Sequence, residues 1–177
     1  IYCKSIGGID VGSIVGKRVR FQSSVPGVKA PVIGLIGATA IHLQDKSAEG
    51  KVRKMHELFI DIGATSADEA KAKLAIGDAG VFLDGFMQLS DDIVVARALD
   101  NRIGGFVLAT ALEELHRGKI RPKASTFAVN AVQEEIGCRG AQMAAHRIRP
   151  QIALVFDVTH ATDTPGINVK EHGLVEL

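Results

Sequence analysis

The 177-residue sequence has no tryptophan, one tyrosine and two cysteines, and its 21 basic residues almost cancel its 20 acidic ones. Each shortage excludes something. Two thiols far apart in the chain, Cys3 and Cys138, cannot build a disulfide framework and are too few for a thiolate metal site, so both read as reduced, structural cysteines. A formal net charge of +1 leaves no basic stripe to neutralise phosphates, which argues against a nucleic-acid partner. No apolar run approaches the ~20 residues needed to cross a bilayer. Residues 1–8 also lack the basic start and apolar stretch of a secretory leader. The expectation is a soluble, cytoplasmic protein with no membrane partner. What is present, 46% hydrophobic and 23% charged residues, suffices for one good core or two small ones.

Along the chain, residues 1–88 read as short strands broken by glycine. Residues 17–22 alternate basic with apolar side chains, and Pro26 and Gly27 sit at the centre of a tight turn, which predicts a hairpin. Residues 31–40 continue the strand signal, with Gly34 and Gly37 marking bulges or close backbone approaches. Residues 44–57 are charged and aperiodic, a surface loop or mobile segment. Another strand is expected over 58–62, and Ser66 with Glu69 forms an S-x-x-E capping box that opens a helix running to Gly77. Strand character returns over 78–87. Many short strands with one small helix predict a small β-barrel or sandwich over 1–88.

From Asp100 the period becomes helical. Ile103, Phe106, Val107, Ala111 and Leu115 share one face of a helix that Gly118 should end. Residues 127–132 and 152–158 read as buried strands, separated by a short helix over 139–148 that Pro150 stops. Helix, strand, helix, strand is the alternation of a largely parallel α/β sheet, so residues 89–177 are expected to form a partial α/β domain.

Acidic residues gather at the ends of these elements. Asp100 opens the helix, where capping its backbone N–H groups is the simplest role. Glu134 and Glu135 leave one predicted strand, and strand exits are where ligands collect in α/β proteins. Asp157 lies within the other strand, where an unpaired carboxylate costs several kcal/mol. Bringing such acids together without a cation would raise their pKa values. A pair of divalent cations removes that objection, and such pairs, roughly 3.5–4 Å apart, are a recurrent hydrolytic device.

Three ordered motifs then become specific: A-L-D-N-R from Ala98, Q-E-E-I-G-x-R-G-A from Gln133, and D-V-T-x-A-T-D-T-P-G from Asp157. Together they resemble the tetrahedral (TET) and glutamyl aminopeptidases, metallopeptidase family forty-two. The segments G-G-I-D, V-x-G-L-I-G and L-F-I-D-I-G-A-x-S-x-x-E-A followed by G-D are similar to that family too, so the resemblance spans essentially the whole chain. It implies an α/β catalytic domain with a mixed or parallel sheet, interrupted by a β-barrel apical insert that resembles the protease-associated domain and serves assembly and access. It implies hydrolysis of N-terminal residues from peptides by a water activated by two divalent metal ions, zinc foremost, with cobalt or manganese able to serve. Asp100 matches the bridging ligand, Asp157 a terminal ligand of one metal, Glu135 a ligand of the other, and Glu134 the general base. Asn101, Asp163, Arg102 and Arg139 could support these residues by hydrogen bonding. The family forms dimers that build tetrahedral dodecamers, so a homo-oligomer is expected of the full-length protein.

The family also uses two histidine ligands, one in an H-x-D motif before the insert and one near the C-terminus, and neither has a counterpart here. His160 lies three residues past Asp157, at a position that is not a ligand in the family. With three of five ligands, the chain reads as the middle of a longer enzyme that by itself binds metal weakly and hydrolyses little. Two alternatives stay open at this point: a non-catalytic binding or assembly module derived from that fold, and a glycan hydrolase using paired carboxylates.

Overall fold

The computed structural model describes residues 1–43 and 50–176; most of the loop expected over 44–57 is covered, but residues 44–49 lie outside the described residues. The chain divides into two compact units, Ile1–Arg97 and Ala98–Leu177.

The first unit is built on a four-stranded sheet of β1 (Arg18–Phe21), β2 (Val32–Ala38), β3 (Leu58–Asp61) and β4 (Gly80–Phe82), in the order β3-β2-β1-β4. Every neighbouring pair is antiparallel. The alternation in the sequence decides which face is covered: Val19, Phe21, Ile36, Leu58 and Ile60 turn inward and are buried, joined by Ile14, Ile62 and Leu74. The turn at 25–28 forms as the sequence indicates. Gly27 takes a φ of +87° and the Val28 N–H donates to the Val25 carbonyl at 3.1 Å. Gly34 and Gly37 mark close approaches rather than bulges, because the registers of β2 with both neighbours run without interruption. A Cβ on Gly37 would strike the Phe59 ring, 2.5 Å away.

The helix α1 (Ala67–Lys73) starts at the expected cap, with the Ser66 hydroxyl accepting from the Glu69 N–H at 3.2 Å. The Glu69 carboxylate reaches back to Thr65 instead of Ser66, accepting from its N–H at 2.8 Å and its hydroxyl at 3.0 Å. Thr65, its N–H first and then its hydroxyl, holds the Glu69 pKa below its ordinary value. The helix stops at Lys73, short of Gly77, where the Asp78 carboxylate accepts from the Ala75 and Ser24 N–H groups. A second, two-stranded antiparallel sheet pairs β5 (Met87–Gln88) with β6 (Val94–Val95). The barrel or sandwich expected here is instead an open sheet among the described residues, since no ladder joins β3 to β4. There, β3 and β4 each pair with one neighbour only, so the sheet keeps two open edges.

The second unit contains α2 (Leu99–Arg117), α3 (Arg139–Ile148) and a single turn, α4 (Val169–His172). The expected bounds of α3 are met, and α2 ends at Gly118 as predicted. The two expected strands are not. Residues 127–132 and 152–158 join no ladder among the described residues, and the parallel sheet is absent there with them. Their side chains are correspondingly open, with Phe127 63% and Val155 87% exposed. The physical reason lies in how a parallel strand is made: its N–H and C=O groups are satisfied only by neighbours on either side. An apolar run can announce such a strand without supplying those neighbours.

Candidate active site

The start of α2 organises the second unit. Asp100 and Asn101 depart from helical geometry, at φ −82° and ψ 110° and at φ −117° and ψ 60°, although they fall within the helix bounds. This kink decides which side chain caps. The Asn101 carboxamide oxygen accepts from the Gly104 N–H at 2.7 Å, while its Nδ2 donates to the Phe156 carbonyl at 2.7 Å. Asn101 thereby takes the capping role that the sequence allowed for Asp100. The Asp100 carboxylate makes no hydrogen bond or ion pair among the described residues.

Glycine makes this bracket possible. Gly104 is buried, and a Cβ there would lie 2.6 Å from the Asn101 Oδ1 and 2.9 Å from the Phe156 carbonyl oxygen. A Cβ on the next residue, Gly105, would stand 3.6 Å from the Asn130 side chain. The kinked end of α2 therefore lies against both segments that read as strands, and the Asn101 bond ties the backbone next to Asp100 to the residue before Asp157. The Asp157 carboxylate accepts from the N–H of Val158 at 2.8 Å.

Glu134 sits in a loop closed on itself. The Gly140 N–H donates to the Val132 carbonyl at 2.9 Å, and the Glu134 carbonyl accepts from both Gly137 and Cys138 at 2.9 Å. Gln133 and Cys138 adopt left-handed backbone angles and Gly137 a φ of +118°, which turns the chain sharply enough to launch α3 at Arg139. A Cβ on Gly140 would fall 2.5 Å from the Val132 carbonyl oxygen, so only glycine lets the loop shut. The Cys138 thiol lies 3.3 Å from a Glu134 carboxylate oxygen and donates to it. That hydrogen bond, reinforced by the Glu134 charge, by partial desolvation and by Asp157, pushes the Cys138 pKa up. Glu135 is exposed and makes no hydrogen bond or ion pair among the described residues.

Cys3 and Cys138 are both free thiols. Cys3 packs against the first unit's core, and burial raises its pKa; Cys138 is exposed beside a carboxylate, so both are free thiols but only Cys3 is packed on a core. The segments of Asp100 and Asp157 are thus drawn to one end of α2, which also meets Asn130 four residues before Glu134; Glu135 follows Glu134 in sequence. Their donors are all carboxylate oxygens, chemistry that suits a divalent cation. Among the described residues, however, no three His, Cys, Asp or Glu side chains converge in a way that would hold a metal.

Comparison with known proteins shows that the chain is similar to aminopeptidases of mixed α/β fold. A TET aminopeptidase from the marine sediment archaeon Thaumarchaeota archaeon SCGC AB-539-E09 is similar in structure, with a TM-score of 0.85, 34% identity, and coverage of 92% of this chain and 45% of that one. The TET1 peptidase of Pyrococcus horikoshii, which can assemble into a tetrahedron or a large octahedral shell, is similar with a TM-score of 0.69 and 32% identity, over 85% of this chain and 44% of its own. The lysyl aminopeptidase of Pyrococcus furiosus is 31% identical over 88% of this chain and 43% of its length. The M42 glutamyl aminopeptidase family matches residues 1–176, and the chain belongs to that family. It spans less than half the length of these relatives. No helix among the described residues is long and apolar enough to cross a membrane.

Proposed function

We propose that the chain carries part of the active site of a cytoplasmic, metal-dependent aminopeptidase that removes N-terminal residues from peptides. The observation that supports it best is the Asn101 bracket, 2.7 Å on each side, which gathers the segments bearing Asp100 and Asp157 at the end of α2 in a member of a peptidase family. In this reading Asp100, Glu135 and Asp157 would hold two divalent cations, zinc foremost and cobalt or manganese as alternatives. Cations held there would polarise the scissile carbonyl and acidify water. Glu134 takes the proton of the attacking water and delivers it to the leaving amine, a role that needs a carboxylate held at fixed distance but outside the ligand set. The closed loop at 132–140 does this holding.

Residues 1–88 are the apical insert of protease-associated type in the same reading, and residues 89–177 belong to the catalytic domain. The full-length protein forms a homo-oligomer in this reading, which the assembly of the similar TET1 peptidase supports. In the same reading this chain by itself binds metal weakly and hydrolyses little.

The test is hydrolysis of aminoacyl anilides with added Zn²⁺ or Co²⁺, in this chain and in a version extended by its flanking coding sequence. The extended protein should be active, and Glu134→Gln should lower kcat by about 10²–10⁴ with metal binding, followed by titration calorimetry, retained. An extended protein that binds metal yet hydrolyses nothing would instead favour a binding or assembly module. Full activity in Glu134→Gln would overturn the base assignment.

A further inference from the structure

Glu134 has a partner that the metal-site reading leaves unused. Four residues on, Cys138 grips it twice: its N–H donates to the Glu134 carbonyl at 2.9 Å, and its thiol lies 3.3 Å from the Glu134 carboxylate. Cys138 takes a left-handed backbone, φ +51°, immediately before α3. A cysteine thiol is protonated at neutral pH unless cationic neighbours favour its thiolate, so it is a donor here, and a carboxylate is an acceptor. Thiol donors are weak and give up their bond readily.

We propose that Cys138 is a positioning residue for Glu134: its thiol fixes one carboxylate oxygen and leaves the other to receive a proton. The proposal rests on the reading of Glu134 as the general base. A purely local, structural cysteine would make the backbone contact alone, which any residue can make. Fixing the orientation of a reacting carboxylate acts on the chemical step rather than on binding, so its removal is expected in kcat and not in KM.

Two measurements test this, and they fail separately. The first is the alkylation rate of Cys138 by iodoacetamide in this 177-residue chain, read by peptide mass spectrometry with Cys3 as internal reference. Glu134→Gln removes the charge that disfavours the thiolate, so Cys138 should alkylate several-fold faster near pH 8 while Cys3 is unchanged; an unmoved Cys138 rate overturns the contact and the proposal. The second is kinetics of the extended, metal-loaded protein. Cys138→Ala should lower kcat about fivefold, the effect of one net hydrogen bond, with KM unchanged, and Cys138→Ser, which keeps a donor, should recover most of it. Equal loss in the alanine and serine variants, or none in either, overturns the positioning role. An active Glu134→Gln enzyme removes the base assignment and the positioning role together, and the alkylation result still shows whether the contact exists.

Discussion

Among the described residues, the first unit owns a core and the second does not. Eight apolar side chains are buried, and all of them, from Ile14 to Leu74, belong to the first unit; in the second, Gly104 and Thr162 are the buried residues among those described. The first unit is ordered by burial, in which each side chain's exclusion from water depends on the others. The second is ordered by local closures: the Asn101 bracket, the ring of hydrogen bonds from Val132 to Gly140, and Thr162, whose hydroxyl donates to the Gly173 carbonyl and accepts from the Val175 N–H. The contrast shows that the residues proposed for chemistry lie where hydrophobic burial contributes least. Their geometry depends on a few specific hydrogen bonds and on glycines that permit close approach.

The hardest way to break the contrast is to attack the core. Phe21→Ala, at a residue 4% exposed, should cost about 3–5 kcal/mol in urea unfolding, whereas Phe127→Ala, at a residue 63% exposed, should change it by no more than about 0.5 kcal/mol. Comparable losses would show that the second unit is buried in solution. Next in size is Gly104→Ala, whose Cβ has no room between the Asn101 carboxamide and the Phe156 carbonyl. A loss of about 1–3 kcal/mol is expected, confined to the second unit and visible as faster amide exchange in the first turns of α2. Protection reduced equally in β1 and β2 would mean that the units are not independent.

A smaller effect sharpens the description of the first unit. Ser66→Ala removes the cap of α1 and should lower stability by about 1 kcal/mol, with an unchanged urea m-value. The smallest is a pH effect. Glu69 is held below its ordinary pKa by Thr65, and Asp78 by Ser24 and Ala75. A carboxylate with a depressed folded-state pKa stabilises above its unfolded pKa and loses that contribution as pH falls through the folded one. The urea midpoint should therefore begin to fall below about pH 4, and Asp78→Asn should flatten the decline. A midpoint that rises on acidification would contradict both assignments.

Local chemistry was legible in the sequence where a single segment decides the outcome. The Ser66 cap, the Pro26-Gly27 turn and the bounds of α3 all depend on residues within a few positions of one another. Residues 127–132 and 152–158 defeated the same method, because a strand is a relation between segments and apolar β-branched composition specifies only a preference. The site divides the same way. The acids Asp100, Glu134, Glu135 and Asp157 stand out by position in the motifs. That Asn101 and not Asp100 caps α2 follows from backbone angles that either side chain could accompany. The bond of Cys138 to Glu134 is not legible in composition, because it forms across left-handed turns, although the four-residue spacing to an acid is a signal in the sequence.

The shut loop from Val132 to Gly140 has a consequence for any ligand that meets Glu134. Because hydrogen bonds at 2.9 Å join its ends and its middle, and because Gly140 has no side chain to hold them apart, the conformational entropy of arranging this carboxylate is lost during folding. An encounter with a ligand need not lose it again. The glycine at the mouth of the loop is in that sense as much a determinant of binding strength as the acid it frames.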